Sequence, residues 1–211
     1  MDVLQPGNAH KMNVLCTTID ASKYNLWFVS DTHFGHRRIV RNEPDHFEHT
    51  RPFDTIADMD AAIIDSWAKC VQPEDYVVFL GDFIMNCPRA DILARFYSLW
   101  DKLPANDVIF LTGNHDHILH SRMKSIPMYS GALIRYGERD FVCQHRPFDT
   151  CPWLLNDYIK HNGTGRMTLV HGHVHMSDIH YVMNDTCNVN NVAWDNEYRM
   201  VNHSELTPAF M

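Results

Sequence analysis

The sequence predicts an α/β fold in which a mixed sheet, or two stacked sheets, is flanked by helices. Three observations carry that expectation. Short apolar runs without polar alternation recur along the chain, helical periodicities separate the first three of them, and each run stops at a cluster of Asp, His, Asn or Gly. Runs rich in Val, Ile, Phe and Tyr that lack alternation mark strands buried on both faces. Strand alternating with helix is α/β order.

Residues 1–23 read as an N-terminal extension or edge segment without chemistry, and residues 24–211 as one domain. The first run, 26–29, passes into Ser30-Asp31-Thr32-His33. Asp54 is the expected N-cap of a helix in which Ile56, Met59, Ile63 and Trp67 recur at spacings of three and four, until Pro73 bars continuation. Residues 76–80 run into Gly81-Asp82. Pro88 suits a first helical turn ahead of Ile92, Phe96, Leu99 and Leu103, and Pro104 closes that segment. Residues 108–111 run into Thr112-Gly113-Asn114-His115-Asp116. Residues 132–136 and 141–144 flank Gly137-Glu138-Arg139-Asp140 as a hairpin, whose second arm delivers His145. Residues 147–165 read as a packed surface loop or, with Trp153, as one wall of a substrate cleft. Residues 168–170 end at His171-Gly172-His173-Val174-His175, and short runs at 179–183, 189–192 and 198–201 predict further strands.

Composition narrows the function. The chain has 211 residues, 45% of them apolar, which is ample for one core without disulfides. Eighteen Lys and Arg against 26 Asp and Glu give a net charge of −8. That balance disfavours a nucleic-acid partner, which calls for a basic face, although bound divalent cations would reverse the sign locally. Nowhere do enough apolar residues run together for a membrane span. The six cysteines include no C-x-x-C pair, and residues 1–13 lack the apolar stretch of a signal peptide, so a reduced, cytoplasmic protein is expected. The excess is histidine: 15 residues of the commonest metal ligand.

In open α/β sheets, ligands bind beyond the carboxyl ends of the strands. Five runs deliver Asp31, His33, Asp82, Asn114, His115, His145, His173 and His175 to that edge. Oxygen and imidazole donors without thiolate suit Mn, Fe, Co, Ni or Zn. Taken singly, each motif has a plainer reading. Asp-x-His arises by chance, Gly81-Asp82 is a turn, His145 is a core histidine, and a histidine-rich loop is solvated. The tetrapeptide Gly113-Asn114-His115-Asp116, by contrast, is expected at roughly one position in 10⁵ in random sequence. All five motifs in this order, each ending a predicted strand, leave little room for coincidence.

Asp31-Thr32-His33, Gly81-Asp82, Gly113-Asn114-His115-Asp116, His145 and Gly172-His173-Val174-His175 together make residues 26 to about 200 resemble the calcineurin-like metallophosphoesterases. Asp31-Thr32-His33-Phe34-Gly35-His36 with Arg51-Pro52-Phe53 is most similar to the small, capless bacterial and phage members. The resemblance implies two stacked mixed β-sheets sandwiched by helices in four layers. It also implies two divalent metal ions, Mn first, with Fe, Ni, Co or Zn as alternatives. Asp31, His33 and His175 would hold one ion, Asn114, His145 and His173 the other, and Asp82 would bridge them. A water shared by two such cations loses a proton near neutral pH and becomes the nucleophile. His115 would donate to a phosphoryl oxygen or protonate the leaving oxygen, and Asp116 would orient its imidazole. His36, Arg37 and Arg146 are candidate substrate contacts. Arg38 and Arg51 are further guanidinium grips for phosphate, or solvated surface residues. His171 is a supporting histidine, and His117, His120 and His161 belong to the surface. No tyrosine follows Gly81-Asp82, which argues against a tyrosinate–iron centre, and no insertion is long enough for a cap domain.

The expected function is therefore hydrolysis of a phosphate mono- or diester of a small phosphorylated substrate. A nuclease or cyclic-nucleotide phosphodiesterase of the same fold is the enzymatic alternative. A non-catalytic interaction module is the other, and it would have lost ligands, whereas every ligand position here is filled.

Overall fold

In the computed structural model, which describes residues 13–42, 50–175, 178–183 and 187–210, two mixed sheets lie face to face. The five-stranded sheet has the order β11–β2–β3–β4–β5, built from β2 (Leu26–Val29), β3 (Tyr76–Phe79), β4 (Asp107–Leu111), β5 (Met128–Tyr129) and β11 (Val201–Asn202). Its strands β2 to β5 are parallel, and β11 closes the edge antiparallel to β2. The six-stranded sheet has the order β1–β6–β7–β8–β10–β9, from β1 (Val14–Ile19), β6 (Gly131–Tyr136), β7 (Arg139–Cys143), β8 (Met167–His171), β9 (His180–Met183) and β10 (Cys187–Asn191). The hairpin read around residues 137–140 is the antiparallel β6–β7 pair.

The alternation of side chains along each strand explains the layers. Phe28, Val78, Ile109 and Leu111 turn inward and meet Ala132, Ile134, Phe141, Cys143 and Val170 of the opposite sheet. Their neighbours Val29, Val77, Phe79 and Phe110 turn outward under α1 (Ile56–Cys70), α2 (Ile92–Trp100) and α3 (His117–Arg122). On the far side, Leu154, Leu155 and Tyr158 of α4 (Trp153–Asn162) cover Leu133, Val142, Leu169 and Val189. Both faces of the central strands are buried, hence their unbroken apolar runs. The result is the four-layer arrangement of helices, sheet, sheet and helix.

Several boundaries differ from the expectation. The N-cap of α1 is Thr55, not Asp54: Thr55 has extended backbone, and its side chain accepts the N–H of Asp58. Pro88 stands in a turn whose carbonyl accepts the N–H of Asp91, so α2 begins only at Ile92, and Leu103 lies past its end. Residues 147–165 are not all loop, because α4 occupies their centre and buries an apolar face. Of residues 198–201 only Val201 pairs, since Tyr198 sits at a φ of 54° that no strand adopts. Within the N-terminal segment, β1 is an edge strand parallel to β6, and residues 1–12 lie outside the described residues. Among the described residues, no helix is long and apolar enough to cross a membrane.

Candidate metal centre

The loops that leave β2, β3, β4, β7 and β8 converge at one edge of the stacked sheets, and their backbones are unusual. Asp31, His33, Asp82 and His173 all adopt left-handed conformations, with φ of 57°, 49°, 60° and 71°. Side-chain-bearing residues there cost about 1–3 kcal/mol each and persist only when their surroundings over-determine them. Here the loops are laced together: Asp31 donates its N–H to Gly81 O (2.9 Å), His33 to Asp82 O (3.0 Å) and Phe34 to Phe83 O (2.9 Å). A Cβ at Gly113 would overlap the Asp82 carboxylate, and one at Gly172 would overlap the Ser30 hydroxyl. The motif glycines let backbone approach the carboxylates.

Two ligand clusters result, Asp31–His33–His175 and Asp82–His145–His173. In the first, His33 Nε2 and His175 Nε2 are 3.2 Å apart and each lies 3.6 Å from Asp31 Oδ1. In the second, His145 Nε2 lies 3.4 Å from Asp82 Oδ2, 3.2 Å from His173 Nδ1 and 3.0 Å from Asn114 Oδ1. Asp82 Oδ2 is also 3.9 Å from His33 Nε2, so that one oxygen faces both clusters. Ligand atoms about 2.0–2.2 Å from a cation stand roughly 3.0–3.6 Å from one another. The separations have that size. Asp31 Oδ1 is buried and accepts no hydrogen bond, a costly state for a carboxylate oxygen unless a cation meets it. Oxygen and imidazole donors of this kind fit divalent transition-metal ions.

The supporting bonds aim each donor. His173 N–H donates to Asp31 Oδ2 (2.7 Å) and His115 N–H to Asp82 Oδ1 (2.7 Å), which leaves the other oxygen of each carboxylate to its cluster. The Nδ1–H of His145 donates to Leu80 O (2.8 Å), so Nε2 is the nitrogen turned to the cluster. Charge reinforces this. Burial opposes ionisation of Asp31, but His33, His145 and His175 outweigh it and hold the carboxyl well below its usual range. Burial likewise disfavours a charged His145, but hydrogen bonding to Asp82 and the charge of Asp31 push it up to about 9 in the cation-free chain.

His115, predicted to act on the phosphoryl group, is exposed, with its ring edge-on to His33 at 5.5 Å. Asp116 does not orient it. The Asp116 carboxylate is buried and accepts three backbone N–H groups, from Asp82 (2.7 Å), Phe83 (3.0 Å) and Gly113 (2.8 Å). It ties the β3 loop to the β4 loop. His36 is half-buried beside His33, and burial together with the charges of His33 and Arg51 lowers it to about 4, so its ring is neutral. Arg37 is exposed on the turn that follows. Arg146 is exposed at a cavity of about 220 Å³ lined also by Asn114, Gln144, His145, Cys151 and Trp153. Arg51 is neither a phosphate grip nor solvated: it is 2% exposed and bonded to the backbone of Asp31 and Thr32 and to Asp195. His171 is buried, donating Nδ1–H to Gly172 O and accepting the Tyr181 hydroxyl at Nε2. His117, His120 and His161 are exposed. Asp195 was missed, because a lone Asp after a Trp carries no motif signal.

A family model described as calcineurin-like phosphoesterase matches residues 24–205. An uncharacterized protein of Methanocaldococcus jannaschii is 25% identical over 158 residues, 75% of this chain and 73% of that protein. The Gene 66 protein of Mycobacterium phage L5 is 26% identical over 213 aligned positions, covering 85% of this chain and 95% of that protein. Among solved structures, a protein of unknown function from Aquifex aeolicus superposes with a TM-score of 0.62 at 23% identity, over 86% of this chain and 97% of that one. That likeness is one of fold.

Proposed function

The chain belongs to the calcineurin-like phosphoesterase family, and on that premise we propose that it is a two-cation hydrolase of small phosphate esters. The observation that carries the reading is the pair of ligand clusters facing one shared oxygen of Asp82, beside a buried Asp31 oxygen that no hydrogen bond satisfies. Asp31, His33 and His175 would hold one ion, Asn114, His145 and His173 the other, and Asp82 would serve both. Two divalent cations, Mn²⁺ first among them, supply Lewis acidity toward phosphoryl oxygens and lower the pKa of water. His115, exposed and not needed as a ligand, donates to a phosphoryl oxygen or protonates the leaving oxygen. His36 beside His33, Arg37 on the turn that follows it, and Arg146 at the cavity lined by Asn114 and His145 orient the phosphate. A net charge of −8 disfavours a nucleic-acid substrate, and six cysteines without a disulfide suit the cytoplasm.

The test is a chelated preparation reloaded with Mn²⁺ and assayed on p-nitrophenyl phosphate, bis-p-nitrophenyl phosphate and a nucleotide panel. Turnover should vanish with chelation and return with metal, and the ratio of the first two substrates separates monoester from diester preference. Elemental analysis should give more than one metal equivalent per chain. Undiminished activity in fully metal-free protein would refute the proposal.

A further inference from the structure

The two clusters are supported differently. His145 of the second is fixed by a backbone carbonyl, Leu80 O, inside the sheet. His175 is the most exposed donor of the first, its side chain 38% accessible, on the loop after β8. Its Nδ1 lies 2.8 Å from Asp195 Oδ2, on the helical turn Trp194–Asn196, with Nδ1–H donating. Asp195 is itself gripped in bidentate fashion by Arg51, Nε to Oδ1 and Nη2 to Oδ2, both at 2.8 Å. The same guanidinium donates through Nη2 to Asp31 O (2.6 Å) and through Nη1 to Thr32 O (2.7 Å), and it lies 5.0 Å from the centre of the Trp194 ring. One buried cation thus touches the backbone that carries Asp31 and His33 and the carboxylate that steers His175.

We infer that Arg51 and Asp195 are a positioning pair for the first cluster alone, setting the His175 tautomer and the Asp31–Thr32 backbone so that the three donors meet one cation. This rests on the two-cation reading of the site. An Nδ1–H held by Asp195 leaves the Nε2 lone pair facing His33 and Asp31 Oδ1. Arg51 gives Asp195 a fixed orientation and offsets the third carboxylate beside Asp31 and Asp82. No bond of the pair reaches Asn114, His145 or His173. Losing a hydrogen-bond partner that steers a ligand histidine lowers metal affinity by about 10–100-fold.

The test is calorimetric titration of the chelated full-length chain with Mn²⁺, comparing wild type with Asp195→Ala and Arg51→Lys. Imidazole ¹⁵N chemical shifts of the cation-free proteins report the His175 tautomer. The expected result is two sites in wild type and, in Asp195→Ala, one site unchanged and one weakened about 10–100-fold. His175 should shift from a single Nδ1–H form to a mixture. Arg51→Lys keeps the charge but not the bidentate grip and should weaken the same site. Should that buried substitution fail to fold, Asp195→Ala decides the matter alone. Two unchanged sites in Asp195→Ala, or equal loss at both, would overturn the positioning role while leaving the two-cation reading intact. Wild type that takes up no cation would overturn both.

Discussion

Asp116→Asn separates a residue that builds the site from one that performs chemistry. The carboxylate takes three backbone N–H groups on two oxygens: Oδ2 receives Asp82 and Gly113, and Oδ1 receives Phe83. An amide of the same shape has one accepting oxygen. In its better orientation it keeps the two bonds of Oδ2 and turns its NH₂ against the N–H of Phe83. One buried donor is then unsatisfied, at about 1–3 kcal/mol, and two bonds lose their charge-assisted character, at about 1 kcal/mol each. The total is about 3–5 kcal/mol, a large part of the 5–15 kcal/mol typical of a domain. For a chain of this size that corresponds to roughly 6–20 °C in Tm. Thermal unfolding of chelated protein by circular dichroism, with urea midpoints at unchanged m-value, measures it. If Asp116→Asn unfolds within ~2 °C of wild type yet loses turnover, the carboxylate acts on His115 and the loop-tying account is wrong.

Three further outcomes are expected. His115→Ala should retain wild-type metal content by elemental analysis, because only its backbone N–H touches Asp82, while kcat on a substrate with a poor leaving group falls roughly 10²–10⁴-fold. Burial lowers His171 to about 4, below its unfolded value near 6.5, so the unfolded chain takes up that proton first and stability falls as pH drops from about 6.5 toward 4. Urea midpoints across that window should decline less steeply in His171→Gln than in wild type, and equal slopes would contradict the assignment. Cys143, two residues from His145, is fully buried and its thiol is pushed well up by that burial. Mass spectrometry after native alkylation should find it unmodified and activity retained, with Cys151 at the cleft the thiol to watch instead.

What the sequence made legible follows from which physical signals are local. The runs at 26–29, 76–80 and 108–111 announced themselves because those strands are buried on both faces and every position must be apolar. Asp31, His33, Asp82 and His173 left a local signal because each sits in a left-handed turn after a strand, a conformation that Asp, Asn, His and Gly adopt most readily, whereas the division of the motif residues between two ions came from the resemblance. Helix α4 was hidden because its buried apolar residues, Leu154, Leu155 and Tyr158, are few and sit among Asn, Asp and Lys, so the apolar stripe is short. Strand β5, only two residues long, has no room for a periodicity.

The roles of Asp116, Arg51 and Asp195 were illegible for a different reason. Each acts on groups that leave no trace in residue identity: backbone N–H groups for Asp116, carbonyls of Asp31 and Thr32 for Arg51, and a partner 144 positions away in the Arg51–Asp195 pair. Sequence reading assigned Arg51 by its nearness to the motif loops and Asp116 by the resemblance, which pairs it with His115. The structure puts both beneath the loops, where charge is used against the strain of four left-handed residues. A site built on such turns needs its strongest hydrogen-bonding groups underneath it, and fewer of its charged side chains are free to meet a substrate than the motif count implies. Arg37 and Arg38, exposed on the helical turn 37–39, and Arg146, exposed at the cavity that Asn114 and His145 also line, are the motif-flanking arginines that do not lie beneath the loops.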